Sequence, residues 1–390
     1  MKRIRVADFS THYSGPLAAR LLMELGADVI KVEQPGHGDG NRAVPPFVHG
    51  ESLSAAYLAA GVRSVAVDRR SALFSEVVRA AAQWADVFVV GERATVLRDR
   101  GVDFATVAGA NDRIVYCMLP PYGNHGPWAQ WPAHGQSVEA AAGNLWVDPT
   151  GADEGAGRTS SRWRTVGTTA AGTLAALGIM YALYQRDSVD QPLCVEVSLW
   201  GSALWWSWRD VLHEANLGSP WPGFGKAGPR YGIYPTADGR RLMIAPIERK
   251  FWELFCDLIG MPPEARGRGS WAETNTDQGH DHPQEWVEIG DRLASRPLAD
   301  WLTVLAGSGV PVAPVYERAE VLRGEHANAQ GVLRRVRARD SAESSIEVPR
   351  SPLRIGVGRP PEPPGDVPVA DGAPAVGAHT DEVLAELGIS

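Results

Sequence analysis

The chain has 390 residues, 44% apolar and 22% charged, which fits two globular domains or one elaborated one and excludes a disordered chain. A net charge of −8 excludes nucleic acid as the main partner, because a phosphate backbone needs a basic surface; an anionic small ligand needs only a few local arginines. Cys117, Cys194 and Cys256 form neither a CxxC pair nor a disulfide framework, so a reducing, cytoplasmic setting and no structural metal are expected. No apolar leader precedes Gly15, and no run reaches the roughly 18 apolar residues of a membrane span, so neither secretion nor a membrane partner is expected.

In chain order, Arg5 to Asp8 reads as a strand, Pro16 to Leu25 as a helix closed by Gly26, and Asp28 to Val32 as a second strand. The alternation continues with a strand at Ser64 to Val67, a helix at Phe74 to Gln83, and strands at Asp86 to Val90 and Arg113 to Met118. A Gly- and Ala-rich helix, Thr169 to Tyr184, leads to a strand at Val195 to Ser198. Strands and helices alternating at this spacing predict an α/β chain with a Rossmann-like parallel sheet. A Gly- and Pro-rich break lies between Gly218 and Gly232. It is followed by a hairpin (Tyr231 to Tyr234 and Leu242 to Ala245) and helices at Lys250 to Ile259 and Pro297 to Ser308. The polar stretch between those helices, Gly267 to Pro283, reads as a mobile loop. Pro361 to Pro368 reads as a connector, and Asp381 to Leu387 as a closing helix.

Several pieces occur in a recognisable order: Val6-Ala7-Asp8-Phe9-Ser10, Gly15-Pro16, the run from Leu21 to Glu33, then Pro35-Gly36, Gly38-Asp39 and Arg42. Further pieces are Arg63 to Asp68, Ala85-Asp86-Val87, Arg113 to Cys117, Tyr122-Gly123, Gly126-Pro127, Val195 to Leu199, Tyr234 to Gly239 and His379 to Leu384. Together they resemble the family III CoA-transferases and α-methylacyl-CoA racemases over nearly the whole chain. The resemblance implies a large CoA-binding domain (residues 1–217 and 330–390) and a linker with a smaller α+β domain (residues 218–329). It also implies an interlocked homodimer, or a heterodimer with a homologue that keeps the catalytic aspartate. The expected substrate is an acyl-CoA, with coenzyme A as part of the thioester.

The resemblance implies basic contacts to the CoA phosphates at Arg42, Arg63 and Arg93. It puts Thr168 where the family carries its catalytic aspartate, and threonine cannot form the acyl anhydride that a carboxylate forms. Asp148 and Asp153 lie nearby in sequence without a reason to enter the pocket. His134 matches the partner base of the racemase branch, with Glu248 in place of the glutamate that supports it and Gly135 in place of the usual following aspartate. An imidazole suits proton abstraction beside a thioester carbonyl. Three readings follow: proton transfer at Cα by His134, CoA transfer by a substitute carboxylate, or a non-catalytic CoA-binding subunit. Trp200, Trp205, Trp206 and Trp208 are expected in the core or at an interface.

Overall fold

The computed structural model describes residues 3–145, 166–219, 227–271, 275–339, 341–361 and 369–389. Asp148 and Asp153, with parts of the break after Gly218 and of the proline connector, lie outside them. The chain forms two compact units, Met1–Gly218 with Ala329–Ser390, and Ser219–Asn328.

The first unit opens with β1 (Arg5–Asp8), α1 (Ser14–Glu24), β2 (Asp28–Glu33), β3 (Arg63–Ala66), α2 (Ala72–Trp84), β4 (Val87–Val90), α3 (Ala94–Asp99) and β5 (Val115–Met118). It continues with α4 (Gly135–Ala141), α5 (Val166–Gln185), β6 (Leu193–Glu196) and α6 (Leu199–Trp206). The six strands are parallel in the order β3-β2-β1-β4-β5-β6. The central strands read as unbroken apolar runs because both faces are covered. In β4, Phe88 and Val90 pack with Val77, Val78 and Tyr116 on the α2 side. Val87 and Val89 of the same strand pack with Ala18, Leu22, Ala175 and Ile179 of α1 and α5.

Helix α5 is long and apolar enough to cross a membrane by length and composition, with about half of its apolar stretch buried in the protein. It lies against α1 at close quarters. A Cβ on Gly172 would stand 2.7 Å from the Ser14 carbonyl oxygen, so glycine sets that approach.

The second unit holds β7 (Gly232–Pro235), β8 (Arg241–Ile244), α7 (Arg249–Ile259), α8 (Glu285–Leu293), α9 (Leu298–Leu305) and β9 (Val312–Pro314). Its strands pair antiparallel in the order β9-β8-β7 over a core of Tyr234, Leu242, Trp252, Phe255, Ile289 and Trp301. The described residues of the polar stretch expected to be a mobile loop are anchored on both sides of residues 272–274. Asp277 accepts from the Ser270 N–H (2.9 Å) and the Gly279 N–H (2.6 Å), and pairs with the buried Arg230 at 3.4 Å. Arg230 in turn donates from Nε and Nη2 to Glu285 (2.8 Å each), and its guanidinium lies 4.0 Å from the Trp252 ring centroid.

The chain then returns to the first unit with the hairpin β10 (Leu333–Ala338) and β11 (Ser341–Pro349), and closes with α10 (Thr380–Glu386). The His379-Thr380 pair covers the edge strand β3. His379 Nδ1 accepts from the Ser64 N–H (3.1 Å) and Thr380 Oγ1 from the Ala66 N–H (3.0 Å), which blunts an exposed ladder. Trp205, Trp206 and Trp208 stand exposed on this chain rather than in its core, whereas Trp200 donates from Nε1 to the Ala141 carbonyl (3.1 Å).

Candidate functional site

In a sheet of this order the chain leaves β1 one way, to β2, and leaves β4 the other way, to β5. The crevice beyond the carboxyl ends of β1 and β4 is where such folds hold ligands. The loop after β1, Phe9 to Tyr13, forms one wall, and Gly91 to Arg93 after β4 approaches it. A Cβ on Gly91 would come within 3.3 Å of Ser10 Cβ.

A buried charge network fixes this loop. Lys31, within β2, lies 3.0 Å from both Asp8 and Asp39 and donates to the Ser10 carbonyl at 2.5 Å. Burial alone would pull the Lys31 ammonium down, but Asp8 and Asp39 outweigh it and hold its pKa above the usual value. Burial pushes Asp39 up. Lys31 and the N–H groups of Asn41 and His12 more than reverse this and hold it below the carboxylate range. For Asp8 burial prevails over Lys31 and the Ser10 hydrogen bonds, and its pKa is raised.

Beside this network Arg42 grips Glu33 with Nε (2.7 Å) and Nη2 (2.6 Å), and its Nη1 donates to the Pro374 carbonyl (2.9 Å). Glu33 also accepts from Ser64 Oγ (2.6 Å) and the Asp39 N–H (2.8 Å). The opening motif of Asp8, Lys31, Glu33, Asp39 and Arg42 therefore builds the scaffold of the crevice.

Two imidazoles meet at its mouth. His134 is the N-cap of α4, exposed, with its carbonyl taking the Ser137 and Val138 N–H groups. Its ring stands 6.0 Å from that of His12, tilted by 61°. His12 has φ +68°, a left-handed conformation uncommon for a residue with a side chain. Both of its backbone groups are held: the N–H donates to Asp39 Oδ1 (2.9 Å), and the carbonyl accepts from Asn41 Nδ2 (2.9 Å).

Thr168 is buried in the first turn of α5. Next to it, the Gly167 N–H donates to Glu139 Oε1 at 2.5 Å, while Glu139 Oε2 accepts from Asn144 Nδ2 at 3.0 Å. Glu139 is thus a buried carboxylate at the helix start, the place where backbone N–H groups favour negative charge.

The other expected site residues have partners or positions of their own. Arg63 pairs with Asp28 (2.9 Å) and Glu386 (2.5 Å), and Arg93 donates to the Gln130 carbonyl (2.6 Å) from the N-cap of α3. Arg42 and Arg63 are therefore engaged by carboxylates of this chain. Glu248 caps α7 in the second unit, whereas His134 and Thr168 belong to the first. A cleft of about 1100 Å³ runs along α1 and α5 between Leu17, Tyr57, Leu177 and Leu353; Thr169 lines it, but His12, His134 and Arg93 do not.

Sequence reasoning passed over His12, whose strained backbone leaves no mark in composition, and Glu139, a single acid among alanines. It also passed over Arg69, half-buried just after β3, whose guanidinium is pulled below its usual value by burial and then by the neighbouring Arg100. The thiols offer no ready nucleophile. Burial pushes Cys117 up, and Cys256 up to about 12. Among the described residues no cluster of His, Cys, Asp and Glu suits a metal ion.

The profile of CoA-transferase family III matches residues 1–380. An acetyl-CoA:oxalate CoA-transferase of Acetobacter aceti is 28% identical, with 92% of this chain and 90% of that protein covered. The human α-methylacyl-CoA racemase is 24% identical, covering 100% of this chain and 94% of the racemase. Among solved structures, Rv3272 of Mycobacterium tuberculosis superposes with a TM-score of 0.77 at 25% identity over 97% of each chain. With the profile spanning nearly its whole length, the chain belongs to CoA-transferase family III.

Proposed function

We propose that the chain binds an acyl-CoA thioester at the crevice between β1 and β4, and that His134 transfers the proton at the α-carbon in an epimerase- or isomerase-type reaction. The observation that carries this reading is the exposed imidazole of His134 beside His12 at that crevice; the family resemblance adds the expectation that the buried Thr168 stands in place of the catalytic aspartate. An imidazole is suited to removing a proton that the thioester carbonyl acidifies. A threonine hydroxyl lies far above a carboxylate in pKa and offers no anhydride.

For the CoA phosphates, Arg69 after β3 feels the charge of Arg100 and would favour an anion, although Arg100 is paired with Glu92 at 3.2 Å; Arg93 follows β4 and donates to the Gln130 carbonyl. Arg42 and Arg63 would have to give up Glu33 and Asp28 to do the same. Binding held by such charges should weaken with salt.

Glu139 favours a second reading, CoA transfer between carboxylic acids, because its carboxylate accepts from the N–H of Gly167, the residue before Thr168. Incubation with propanoyl-CoA and a 2-methylacyl-CoA in deuterated water separates the two. Proton transfer predicts deuterium at Cα, lost by at least about 10²-fold in His134→Ala, and no adduct on the protein. A CoA thioester trapped on Glu139 and abolished by Glu139→Gln would establish transfer instead. If neither signal appears while CoA still binds, the chain is a CoA-binding subunit without chemistry of its own.

A further inference from the structure

Removing a proton beside a thioester carbonyl drives negative charge onto the carbonyl oxygen, and a preorganised donor there lowers the barrier more than a base alone. Resting on the proton-transfer reading, we propose that His12 is a catalytic residue that donates a hydrogen bond from Nε2 to the thioester carbonyl oxygen while His134 works at Cα.

Four observations converge on this. His12 is held in a left-handed conformation by Asp39 and Asn41, and strain that is fixed by a built network concentrates where function needs it. Its Nδ1 lies 3.1 Å from Thr11 Oγ1; a hydroxyl proton directed there leaves Nε2 carrying the ring hydrogen, the donor form. Gly40 keeps that nitrogen uncovered. Its φ lies outside the left-handed region, so the backbone does not demand glycine, yet a Cβ there would stand 2.8 Å from His12 Nε2. Finally, the ring centroids of His12 and His134 are 6.0 Å apart, which lets the two imidazoles address neighbouring atoms of one small group.

The step balances without a further reactant. His134 takes the α-proton, and the C–H electron pair becomes the C=C bond of the enolate. The carbonyl π pair moves to oxygen, where the His12 N–H stabilises it. The protonated His134 then returns the proton to carbon.

The test uses the full-length protein, [1-13C]propanoyl-CoA and four variants: His12→Gln, which retains a donor; His12→Phe, which retains ring packing only; Gly40→Ala; and His134→Ala. The C=O stretch of the bound thioester reads the hydrogen bond without any turnover. It should be shifted to lower frequency in the wild type, His12→Gln and His134→Ala, and return towards the free value in His12→Phe and Gly40→Ala. Deuterium exchange at Cα should fall by about 10²–10³-fold in kcat for His12→Phe, with KM little changed.

A stretch identical in wild type and His12→Phe, or a failure of propanoyl-CoA to bind at all, overturns the proposal. Full exchange in His12→Phe, with its loss in His134→Ala, would leave His12 as packing for the base and also overturns it. A shifted stretch that depends on His12, with no exchange in any protein, upholds the carbonyl contact and removes the proton-transfer reading instead.

Discussion

Lys31 is the residue on which the crevice turns, because it faces Asp8 and Asp39 at once and all three side chains are buried. Removing one partner of a buried pair leaves the other charge without compensation, at a cost of about 3–5 kcal/mol. Lys31→Met keeps the volume and removes the charge, so a loss of that size is expected in denaturant unfolding, with the loop of His12 loosened.

The pH dependence follows from the directions at this site. Glu33 is pushed up by burial, but Arg42 and Ser64 pull it lower still, and Asp39 is likewise depressed. A carboxylate whose folded pKa lies below its unfolded value contributes stability above the ordinary carboxylate range. It loses that contribution as pH falls through the folded value. Asp8, raised by burial, works in the opposite sense and offsets part of the trend. The unfolding temperature should therefore drop from about pH 5 to pH 3. Glu33→Gln should flatten that slope while lowering the temperature at neutral pH. An equal slope in wild type and variant would remove Glu33 from the account.

Among the elements, the contact of α5 with α1 carries the clearest test. A methyl on Gly172 meets the Ser14 carbonyl oxygen at 2.7 Å and two carbons of Leu17 at 3.0 Å, and backbone cannot swing aside as a side-chain tip can. Gly178 meets only Val195 Cγ1, at 2.8 Å. Overpacking typically costs about 1–3 kcal/mol, so Gly172→Ala should lower the unfolding midpoint, and more than Gly178→Ala does.

The elements also mark how far the sequence could be read. The parallel strands were legible because burial on both faces turns them into apolar runs bounded by turns. The hairpin β10–β11 was not: Val336 and Ala338, and Ile346 and Val348, alternate with polar residues as half-buried strands do, but each strand offers only two such positions, too short a pattern to stand out. Helix α8 was missed for a similar reason: its buried stripe is Glu285, Ile289 and Leu293, and the first of these is a charge explained by Arg230, 55 residues earlier, with Arg268 beside it. At the candidate site, the neighbours of His134 in sequence single it out as a candidate. His12 and Glu139 are not singled out, because their meaning comes from contacts with Asp39 and Gly167, which only the fold supplies.

On the scale of the whole molecule, the core is divided. The sheet of the first unit packs its own apolar layers, whereas Tyr234, Trp252, Phe255, Ile289, Leu293 and Trp301 form a separate cluster in the second. Each cluster buries a charge lock of its own, Lys31 with Asp8 and Asp39 in one, Arg230 with Glu285 in the other. Two cores with separate locks should respond separately to damage if each unit unfolds as its own cooperative body. Glu285→Gln leaves the fully buried Arg230 with Asp277 as its remaining acidic partner, at 3.4 Å. Breaking such a pair costs about 3–5 kcal/mol. Differential scanning calorimetry should then show one transition moved to lower temperature and another left near its wild-type position. Hydrogen exchange should place the loss of protection in α7, α8 and β7. Lys31→Met should produce the converse pattern, with the loss of protection confined to β1, β2 and the loop of His12. If either substitution shifts every transition together, the two units unfold as one cooperative body, and the stability of the crevice is tied to the second unit after all.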